Sequence, residues 1–550
     1  MSENPDSSGS DVRSATYVFL RELKERGVDK LFMVSGTDYA AFIEEKSKDV
    51  RNELPDFFLV PHEITAAAAA MGYSIGGKIG AVAVHTTPGT ANALGMIMNA
   101  HGSKIPLLII AGRSPYTERG SPASRNLRIH WLQECRDQGE MVRQWVKWDF
   151  EIRTADQIPE TVSRAIQLAL SEPQGPVYVT LPREVSIEKI RPRRTRASVY
   201  EPGPSRKALD LSVNLINRAE NPVIITWRAG KKKDWFESLK AFADRVGIPV
   251  LNYVGEYVNY PSSGISALDN YDLSKVDLVI TVEVDVPWIP KYIDVNAKVI
   301  RVDTDPGFAS IPFYGFPCDV CIQSTPSEFF DQILYRVKPK EWNKEQLKEL
   351  KEKQEDSKRK EIERLSDKSP IHPRYLSYKI GELGLAIMNE YTFNPRYAKL
   401  DRFNSYFGPP AVGTLGWAIG AAIGYKLATG NDVIATVGDG SFIFGVPDAF
   451  YYASLKVPVM VVIYDNGGWY ASALAVKEVF PEGNAVKNNR YPGADFEYRM
   501  RLGESITSYG GFYKLVEDPQ ELDEALKMGA DYVTSKNKPA IIQVITERDR

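Results

Sequence analysis

The chain has 550 residues, of which 43% are hydrophobic and 25% charged, with a formal net charge of -3 at pH 7. Roughly two to four domains are expected at this length, each able to bury a core. The near-neutral charge argues against nucleic acid as a partner, and no apolar stretch reaches the roughly 18–20 residues that span a bilayer.

The termini and the cysteines indicate the compartment. Met1–Ser10 is polar and small, which predicts a disordered leader and not a signal peptide. Cys135, Cys318 and Cys321 make no disulfide framework, which fits a reducing cytoplasm. The C-x-x-C spacing of the last two has no second pair beside it, so two partly buried thiols after a strand are expected there and not a zinc or redox site.

Apolar runs alternate with helical stretches along the whole chain, which predicts an α/β protein of three doubly wound, parallel-sheet domains. The first domain is predicted over 11–190, with strands at Lys30–Val34, Gly80–Val84 and Pro106–Ala111. A central domain follows over 205–337, with strands at Pro222–Thr226 and Lys298–Asp303 among others. Residues 338–369 are crowded with Lys and Glu and predict a solvated helical linker, and a last domain covers 370–550.

One helix start in the first block carries a carboxylate. Glu63 stands just before five alanines, Ala66–Ala70, which predict a thin helix that a neighbour can approach closely. By itself such a glutamate is more often a partner of the helix dipole than a catalytic group. Its role therefore depends on what else the chain contains.

Two motifs in the last block point to a metal-bound diphosphate. Asp439 follows the apolar run Val433–Val437, and Asn466 follows the run Val459–Ile463. Both would lie at the carboxyl ends of parallel strands, where open α/β sheets bind ligands. Asp and Asn oxygens suit Mg²⁺, and the neighbouring glycines let backbone N–H groups approach phosphate oxygens.

The order of motifs along the chain resembles the thiamine-diphosphate-dependent enzymes, in the branch that contains acetolactate synthase, pyruvate oxidase and benzoylformate decarboxylase. The motifs are Glu63, then His85–Ala93, then Gly413–Trp417, and finally the pair Asp439 and Asn466. The resemblance implies a pyrimidine-binding first domain, a central Rossmann-like domain and a diphosphate-binding last domain. It also implies thiamine diphosphate and Mg²⁺ as cofactors.

The resemblance assigns roles around the diphosphate. The metal ligands would be Asp439, Asn466 and the carbonyl of Gly468. The other residues that would touch the cofactor are Gly440, Ser441 and Thr392 at the diphosphate, Leu415 as the wedge beneath the two rings, and the Gly413 carbonyl at the 4′-amino group. Trp469 and Tyr470 could form an aromatic wall beside the diphosphate or be ordinary core aromatics. Asp465 stands where the family commonly has Asn, and it could support the cation or face a neighbouring strand.

Glu63 would face N1′ of the aminopyrimidine and assist removal of the C2 proton of the thiazolium. Because Glu63 and the metal motif lie in different domains, family architecture implies a site between two subunits of a homodimer or homotetramer. The resemblance implies a small 2-oxoacid as substrate, cleaved or joined at a carbon–carbon bond through the C2 ylid.

The choice of reaction rests on few residues. His85 resembles the proton-transferring histidine of benzoylformate decarboxylase, with a buried structural histidine as the alternative. Thr37 falls where that relative grips the substrate carboxylate, and Ala471 would leave room in the pocket. A second catalytic histidine has no match, since Trp288 lies in the corresponding region.

We therefore predict a 2-oxoacid decarboxylase or carboligase that is nearer benzoylformate decarboxylase than acetolactate synthase. The synthase alternative is supported by Gln133-Glu134, a segment frequent in such enzymes. FAD is possible but less expected, because Trp227–Gly230 offers one glycine where a flavin-binding turn would stand. A 2-hydroxyacyl-CoA-lyase-type enzyme and a catalytically inactive regulatory homologue remain as further alternatives.

Overall fold

Three six-stranded sheets, each with all strands parallel, organise the chain in a computed structural model that describes residues 12–252 and 255–548. The predicted leader therefore lies outside the described residues. The α/β class with three parallel-sheet domains is confirmed. Within the described ranges, no helix is long and apolar enough to cross a membrane.

The first domain has strand order β3-β2-β4-β5-β7-β6, and a two-residue antiparallel pair of β1 with β8 ties its ends together. Its elements are β1 (Arg13–Ser14), α1 (Ala15–Glu25), β2 (Lys30–Met33), α2 (Ala40–Ser47), β3 (Asp56–Leu59), α3 (Glu63–Ile75), β4 (Gly80–Val84), α4 (Thr86–Gly102), β5 (Leu107–Arg113), α5 (Ile129–Leu132), β6 (Asp149–Glu151), α6 (Ile158–Leu170), β7 (Pro176–Pro182), α7 (Arg183–Ile187) and β8 (Lys189–Ile190).

The central domain has strand order β11-β10-β9-β12-β13-β14, the order of a Rossmann sheet. Its elements are α8 (Arg206–Arg218), β9 (Pro222–Thr226), α9 (Lys233–Val246), β10 (Val250–Leu251), β11 (Ala267–Leu268), β12 (Leu278–Val282), β13 (Lys298–Asp303), β14 (Val320–Gln323) and α10 (Pro326–Ile333). The charged segment after it forms the helix α11 (Glu341–Leu365).

The last domain has strand order β16-β15-β17-β18-β20-β19. Its elements are α12 (Pro373–Glu382), β15 (Ala386–Glu390), β16 (Tyr406–Phe407), α13 (Trp417–Thr429), β17 (Val433–Gly438), α14 (Asp439–Phe444), α15 (Pro447–Ser454), β18 (Met460–Asp465), α16 (Tyr470–Val479), α17 (Asn484–Lys487), β19 (Phe512–Val516), α18 (Leu522–Thr534) and β20 (Ala540–Ile545).

The first and last domains follow the same strand order, second-first-third-fourth-sixth-fifth, counted along each domain. In both sheets the order reverses between the first and third strands, which are β2 and β4 in one and β15 and β17 in the other. Such a reversal leaves a crevice at the carboxyl ends of the two strands, where ligands bind. The shared order supports the inference that the two domains are related halves.

Helices α3 and α13 join these two domains through a contact of small residues. A Cβ added at Gly72 would lie 1.9 Å from the Ala421 carbonyl oxygen, and one at Gly424 would lie 1.8 Å from the Ala69 carbonyl oxygen. All five alanines of α3 are buried. The thin helix expected from the alanine run is therefore approached at backbone distance, as the sequence predicted.

The cysteine prediction is wrong in two respects. Cys318 and Cys321 are joined in a disulfide, so they are not free thiols. They also do not follow a strand, because Cys318 precedes β14 and Cys321 lies within it, exposed at the edge of the sheet. Cys135 is free and half-buried.

Candidate active site

The predicted metal ligand Asp439 lies at the crevice of the last sheet. β17 pairs with β18 in a register that sets Gly438 opposite Tyr464, so Asp439 and Asp465 leave adjacent strands side by side. The Asp439 side chain accepts hydrogen bonds from the backbone N–H groups of Gly467 (2.8 Å) and Gly468 (3.0 Å). Burial, with a smaller contribution from Asp465, raises the pKa of Asp439 to about 6.

The turn after β18 carries Asn466 and is held in place by Arg548. The guanidinium donates to the Asn466 carbonyl (2.9 Å) and the Gly467 carbonyl (2.9 Å), and it pairs with Asp495 at 2.5 Å. Positive φ angles at Gly467 (77°) and Gly468 (154°) explain why glycine stands at both positions. The Gly468 carbonyl accepts a hydrogen bond from Tyr470 N–H at 3.0 Å.

Two oxygen atoms in this crevice fit a cation and a phosphate. The Asn466 Oδ1 is buried without a hydrogen-bond partner, and so is the Thr392 Oγ1 that follows β15. A buried polar atom without a partner is costly, so each is suited to a ligand. The Asp439 carboxylate, the Asn466 amide oxygen and a backbone carbonyl form the hard-oxygen set that Mg²⁺ prefers.

Asp465 faces a neighbouring strand. Its Oδ2 accepts a hydrogen bond from Gln543 Nε2 on β20 at 2.7 Å, and its Oδ1 accepts from Gly467 N–H at 3.1 Å. The carboxylate is thus committed to strand and turn contacts. Of the two possibilities for this residue, the structure supports the strand neighbour.

The aromatic residues after the turn have different surroundings. The Trp469 ring covers Gly440 so closely that a Cβ on Gly440 would lie 2.1 Å from the ring, so there is no room for a side chain at this position. Tyr470 is instead buried in a small separate cluster with Ala473, and Ala471 is exposed on the first turn of α16. Only Trp469 therefore lies against the predicted diphosphate segment.

The turn before α13 is fixed from both sides. Gly413 has a positive φ of 81°, and a Cβ there would lie 2.4 Å from the Tyr391 hydroxyl. The Asn99 amide donates to the Thr414 carbonyl (2.8 Å) and accepts from the Thr414 N–H (3.0 Å). Leu415 follows, half-buried, between these contacts and the helix.

Glu390, which the sequence analysis did not single out, caps α13. Its carboxylate accepts hydrogen bonds from the N–H groups of Gly416 (2.7 Å) and Ala418 (2.8 Å), and burial raises its pKa. The Ser441 hydroxyl also bonds to it. Glu390 thereby connects the end of β15, the Leu415 turn and the segment after Asp439.

Glu63 begins α3 and is buried, with 7% of its surface exposed. Its Oε2 accepts a hydrogen bond from Asn92 Nδ2 at 3.1 Å. Its Oε1 lies where a Cβ on Gly89 would be 2.9 Å away, so glycine leaves room for the carboxylate. The carboxylate is therefore positioned by α4, the same helix that carries Asn99.

The first and last domains are also in contact with each other within one chain. Asn92 and Asn99 lie two turns apart on α4, and they contact Glu63 and Thr414 respectively. The Thr65 hydroxyl donates to the Gly445 carbonyl at 3.1 Å. Together with the small-residue contact of α3 with α13, these bonds hold the two domains of one chain against each other. The site between two subunits that the family resemblance implies stays a prediction.

His85 lies at the crevice of the first sheet, paired with Asp38. The distance from His85 Nδ1 to Asp38 Oδ1 is 2.6 Å, and the Asp38 side chain is 1% exposed. The hydrogen bond to Asp38 raises the pKa of His85, against the opposing effect of burial. Glycines make room for the pair, because a Cβ on Gly36 or Gly112 would overlap it at 2.1 Å and 1.7 Å.

Three further groups surround this pair. Thr37 is exposed, and its hydroxyl oxygen lies 3.3 Å from Nε2 of His130, a buried residue that sequence reasoning missed. Gln133 lies near the His85 ring, and its buried Oε1 has no hydrogen-bond partner among the described residues. Trp288, considered at the position of a second histidine, packs edge-on against Phe316 in the central domain.

Domain comparisons match both halves of this arrangement. Residues 13–141 match the N-terminal TPP binding domain of thiamine pyrophosphate enzymes, and residues 391–544 match the C-terminal TPP binding domain. The chain belongs to the thiamine pyrophosphate enzyme family. The superfamily resemblance drawn from the motifs is confirmed.

Two curated members of the family cover most of this chain at low identity. A benzoylformate decarboxylase of Pseudomonas aeruginosa is 26% identical over 98% of this chain and 99% of its own length. A probable acetolactate synthase large subunit of Methanococcus aeolicus is 24% identical over 85% of this chain and 82% of its own length. Two of the three enzymes named above, acetolactate synthase and benzoylformate decarboxylase, are thus represented among the relatives of this thiamine pyrophosphate enzyme.

Solved structures share the fold over the full chain. The benzoylformate decarboxylase from Polynucleobacter necessarius superposes with a TM-score of 0.79 at 21% identity, covering 98% of this chain and 99% of that one. The thiamine diphosphate-dependent 4-hydroxybenzoylformate decarboxylase of Rhodococcus jostii RHA1 superposes with a TM-score of 0.74 at 22% identity, covering 98% and 100%.

In this thiamine pyrophosphate enzyme, the turn after β9 that was considered for a flavin is closed by contacts within the protein. In the turn after β9, the N–H of Gly230 donates to Asn259 Oδ1 (2.6 Å) and the N–H of Ala229 donates to Thr226 Oγ1 (3.2 Å). A Cβ on Gly230 would lie 2.0 Å from the Val258 carbonyl oxygen, so the close approach is made by protein backbone. These amides are therefore not free for a phosphate.

Buried ions fill the ends of the central strands as well. Lys104, from the first domain, lies 2.5 Å from Asp303 Oδ1 and 3.0 Å from Glu283 Oε2. Arg228 pairs with Glu256 at 2.6 Å and with Asp285 at 3.0 Å. This network occupies the crevice where a Rossmann sheet binds its dinucleotide and ties the first domain to the central one.

Proposed function

We propose that the chain is a thiamine-diphosphate- and Mg²⁺-dependent decarboxylase or carboligase that acts on a 2-oxoacid. The observation that carries the proposal is the Asp439–Asn466 crevice, where the unpartnered Asn466 oxygen and a buried carboxylate follow adjacent strands. When bound, thiamine diphosphate supplies a nucleophilic carbon and an electron sink. The protein supplies orientation and charge.

The last domain would hold the diphosphate through Mg²⁺. Asp439, Asn466 and the Gly468 carbonyl are the proposed ligands, and the unpartnered oxygens of Asn466 and Thr392 support this assignment. A bound cation would keep Asp439 ionised against the burial that raises its pKa. Gly440 and Ser441 complete the proposed diphosphate contact, beneath the Trp469 ring.

The first domain would supply the proton chemistry. Glu63 would hold a proton toward the aminopyrimidine, with Asn92 fixing the orientation of its carboxyl group. His85, kept charged by Asp38 to higher pH than a free histidine, would donate a proton to the reacting substrate and attract its carboxylate. This charged pair favours a decarboxylase resembling the benzoylformate enzymes.

The second candidate is condensation of pyruvate in the manner of the acetolactate synthases. The observation in its favour is Gln133, which lies near His85, has a buried side-chain oxygen without a hydrogen-bond partner and belongs to the Gln-Glu segment typical of those enzymes. Glu134 is bound by Arg113 and Arg125 and so serves to hold this segment.

The assembly and location remain part of the proposal. We propose a homo-oligomer, because apolar side chains stay exposed at the rim of the site, including Leu132 (72%), Ile443 (41%) and Phe444 (48%). A cytoplasmic enzyme without nucleic-acid or membrane partners stays our prediction from composition.

The first experiment measures CO₂ release by the purified protein with thiamine diphosphate and Mg²⁺ over a panel of 2-oxoacids from pyruvate to benzoylformate, with the organic products identified. Release of an aldehyde supports the decarboxylase, and acetolactate from pyruvate supports the synthase alternative. No CO₂ from any acid would contradict the proposal and leave the 2-hydroxyacyl-CoA lyase and the inactive homologue.

Two variants test the proton chemistry in the same assay. Glu63→Gln is expected to abolish turnover while the fold and assembly are kept. His85→Ala is expected to lower kcat about 10²-fold or more with cofactor binding kept, because general acid catalysis contributes a factor of this size. Unchanged turnover in His85→Ala would remove the proposed proton-transfer role.

A further inference from the structure

His130 is the only buried residue in the otherwise exposed stretch 126–132. It is 1% exposed, whereas its neighbours Ile129 and Trp131 are 41% and 45% exposed. Its ring points to the crevice of the first sheet, where Thr37 follows β2 and His85 follows β4. A histidine buried at this place requires hydrogen-bond partners for both ring nitrogens.

The two partners define the tautomer of His130. The backbone N–H of Asn126 donates to Nδ1 at 3.3 Å, so Nδ1 carries no proton. The neutral ring then carries its proton on Nε2, which lies 3.3 Å from the Thr37 hydroxyl oxygen. Burial lowers the pKa of His130, with Arg183 and His85 acting in the same direction, so this neutral form is favoured near pH 7.

A donor at Nε2 determines what the Thr37 hydroxyl can do. Because its oxygen accepts the N–H of His130, its own hydrogen remains available to donate to another group. Thr37 is exposed at the mouth of the crevice. It follows Gly36, which lies so close to His85 that an added Cβ would overlap the imidazole ring. The hydroxyl hydrogen of Thr37 and the charged His85 ring therefore lie side by side at the mouth of the crevice.

We propose that His130 is a positioning residue that orients the Thr37 hydroxyl as a hydrogen-bond donor to the carboxylate of the substrate. This inference deepens the proposed 2-oxoacid chemistry and rests on it. Thr37 and the His85 imidazolium together form a donor pair suited to an acid whose carboxylate adjoins the reacting carbonyl. His130 acts through Thr37 and does not touch the substrate.

Two matched variants of His130 separate orientation of Thr37 from support of the loop. The amide nitrogen of Gln reaches the place of Nε2, so His130→Gln keeps the donor to Thr37. The amide of Asn reaches only the place of Nδ1, so His130→Asn keeps the contact with Asn126 and loses the donor. A purely structural role of the ring would affect both variants alike.

The kinetic test uses the holoenzyme and the best acid of the panel. We expect His130→Asn to raise KM about tenfold, the effect of one lost hydrogen bond to a charged group, with kcat changed less than about threefold. His130→Gln should restore KM to within about threefold of the wild type. In a Thr37→Val background, His130→Asn should change KM no further, because the hydroxyl it orients is absent.

Three kinetic results would overturn the inference: an unchanged KM in His130→Asn, equal losses in the Asn and Gln variants, or additive losses in the double variant. Circular dichroism of each variant verifies folding. Thr37 is exposed, so Thr37→Val tests the donor even if the His130 variants fail to fold.

A second readout does not depend on turnover. The ¹⁵N spectrum of the protein labelled at its five histidines distinguishes the neutral Nε2–H tautomer from a charged ring. The resonances that are missing from the spectrum of His130→Gln are those of His130. We expect them to show the neutral Nε2–H tautomer at pH 6.5. We also expect the Nε2 resonance of His130 to shift in Thr37→Val. A charged ring, or no shift, would overturn the inference. If the wild type releases no CO₂ while these spectra are as expected, the proposed reaction fails and the orientation of Thr37 stands.

Discussion

Asp439 and Asp465 leave adjacent strands at the same level of the sheet, yet their carboxylates have different partners. Asp439 is surrounded by backbone N–H groups of the Gly467–Gly468 turn, whereas Asp465 is bonded to Gln543 on β20. Asp439 therefore lies in the glycine turn beside the unpartnered Asn466 oxygen, whereas Asp465 is held against a neighbouring strand. At the residue scale, the two aspartates should therefore respond differently to substitution.

We expect Asp439→Ala to lose bound thiamine diphosphate, because the proposed cation loses its only carboxylate ligand. Asp465→Asn is the matched control and should retain the cofactor, since its amide oxygen can still accept from Gln543 Nε2 while the Gly467 N–H keeps its bond to Asp439. The measurement is the cofactor and Mg²⁺ content of each variant after gel filtration. Wild-type content in Asp439→Ala would contradict the metal assignment.

The pair of His85 with Asp38 predicts a pH dependence. The pKa of His85 is raised in the folded state, mainly by Asp38, while Gln133, Glu63 and the neutral His130 also face its ring. The stabilisation from this pair is fully present below the ordinary histidine pKa of about 6.5 and is lost as pH rises through the raised value.

Asp38→Asn should therefore move the alkaline limb of the kcat/KM profile to lower pH. It should also lower the free energy of unfolding by about 2 kcal/mol below pH 6.5, with a smaller loss at higher pH. Urea unfolding across pH 5 to 9 provides the second measurement. A profile identical to that of the wild type would show that the pair does not govern the proton-transferring group.

Individual site residues could be predicted from the sequence where they stand directly after a recognisable strand. Asp439 and Asn466 each follow a buried strand, so their approach could be derived from strand adjacency alone. Asp38 and His130 could not be found this way, because neither has a periodic neighbour and their contacts depend on the path of loops. The one available sequence signal for Asp38 was its position directly after Thr37, a candidate substrate-binding residue.

At the scale of elements, the contact of α3 with α13 fixes the distance between the domains. Gly424 faces the Ala69 carbonyl oxygen, and a Cβ would lie 1.8 Å from it. Backbone cannot yield as a flexible side chain can, so an added methyl group must move one helix. The alanine run of α3 therefore packs against α13, which has glycine where the two backbones touch.

Gly424→Ala tests this packing with opposing effects. Helix propensity alone would favour alanine by about 1 kcal/mol, whereas overpacking costs about 1–3 kcal/mol or more. We expect the packing effect to prevail and the melting temperature to fall. Gly307→Ala is the control, since nothing lies within 4 Å of its Cβ position. A melting temperature at or above that of the wild type would show that the helices can separate without cost.

The long buried strands were predictable, and the short edge strands were not. Pro222–Thr226 and Lys298–Asp303 match β9 and β13 to the residue, because continuous apolar runs indicate strands buried on both faces. Short or mixed strands such as β6 (Asp149–Glu151) and β16 (Tyr406–Phe407) carry too few residues for a pattern. β15, which positions Thr392, is as long as β9 but ends in Asn389 and Glu390, so its apolar run is only three residues long and was missed.

At the scale of the whole molecule, the repeated strand order explains why the site residues divide between two domains. Each related sheet has one crevice, and each crevice collects the residues after its first and third strands. The first sheet contributes Thr37 and His85, and the last sheet contributes Thr392 and Asp439. The sequence could indicate this division but not which chain would complete the site.

Mixing two inactive variants decides that question. If the first domain of one chain faces the last domain of another, a hybrid of the two inactive variants contains one intact site. We expect Glu63→Gln and Asp439→Ala chains, unfolded together and refolded as an equimolar mixture with thiamine diphosphate and Mg²⁺, to recover activity in the CO₂ assay.

The expected recovery has a definite size. Random pairing gives one intact site in each hybrid dimer, so activity should return to about a quarter of that of the refolded wild type. Recovery to this level would show that the first domain of one chain faces the last domain of another, as the family resemblance implies. Refolded wild type alone provides the reference for yield, and each variant refolded alone provides the background, so an inactive mixture beside an active reference assigns the complete site to the single chain.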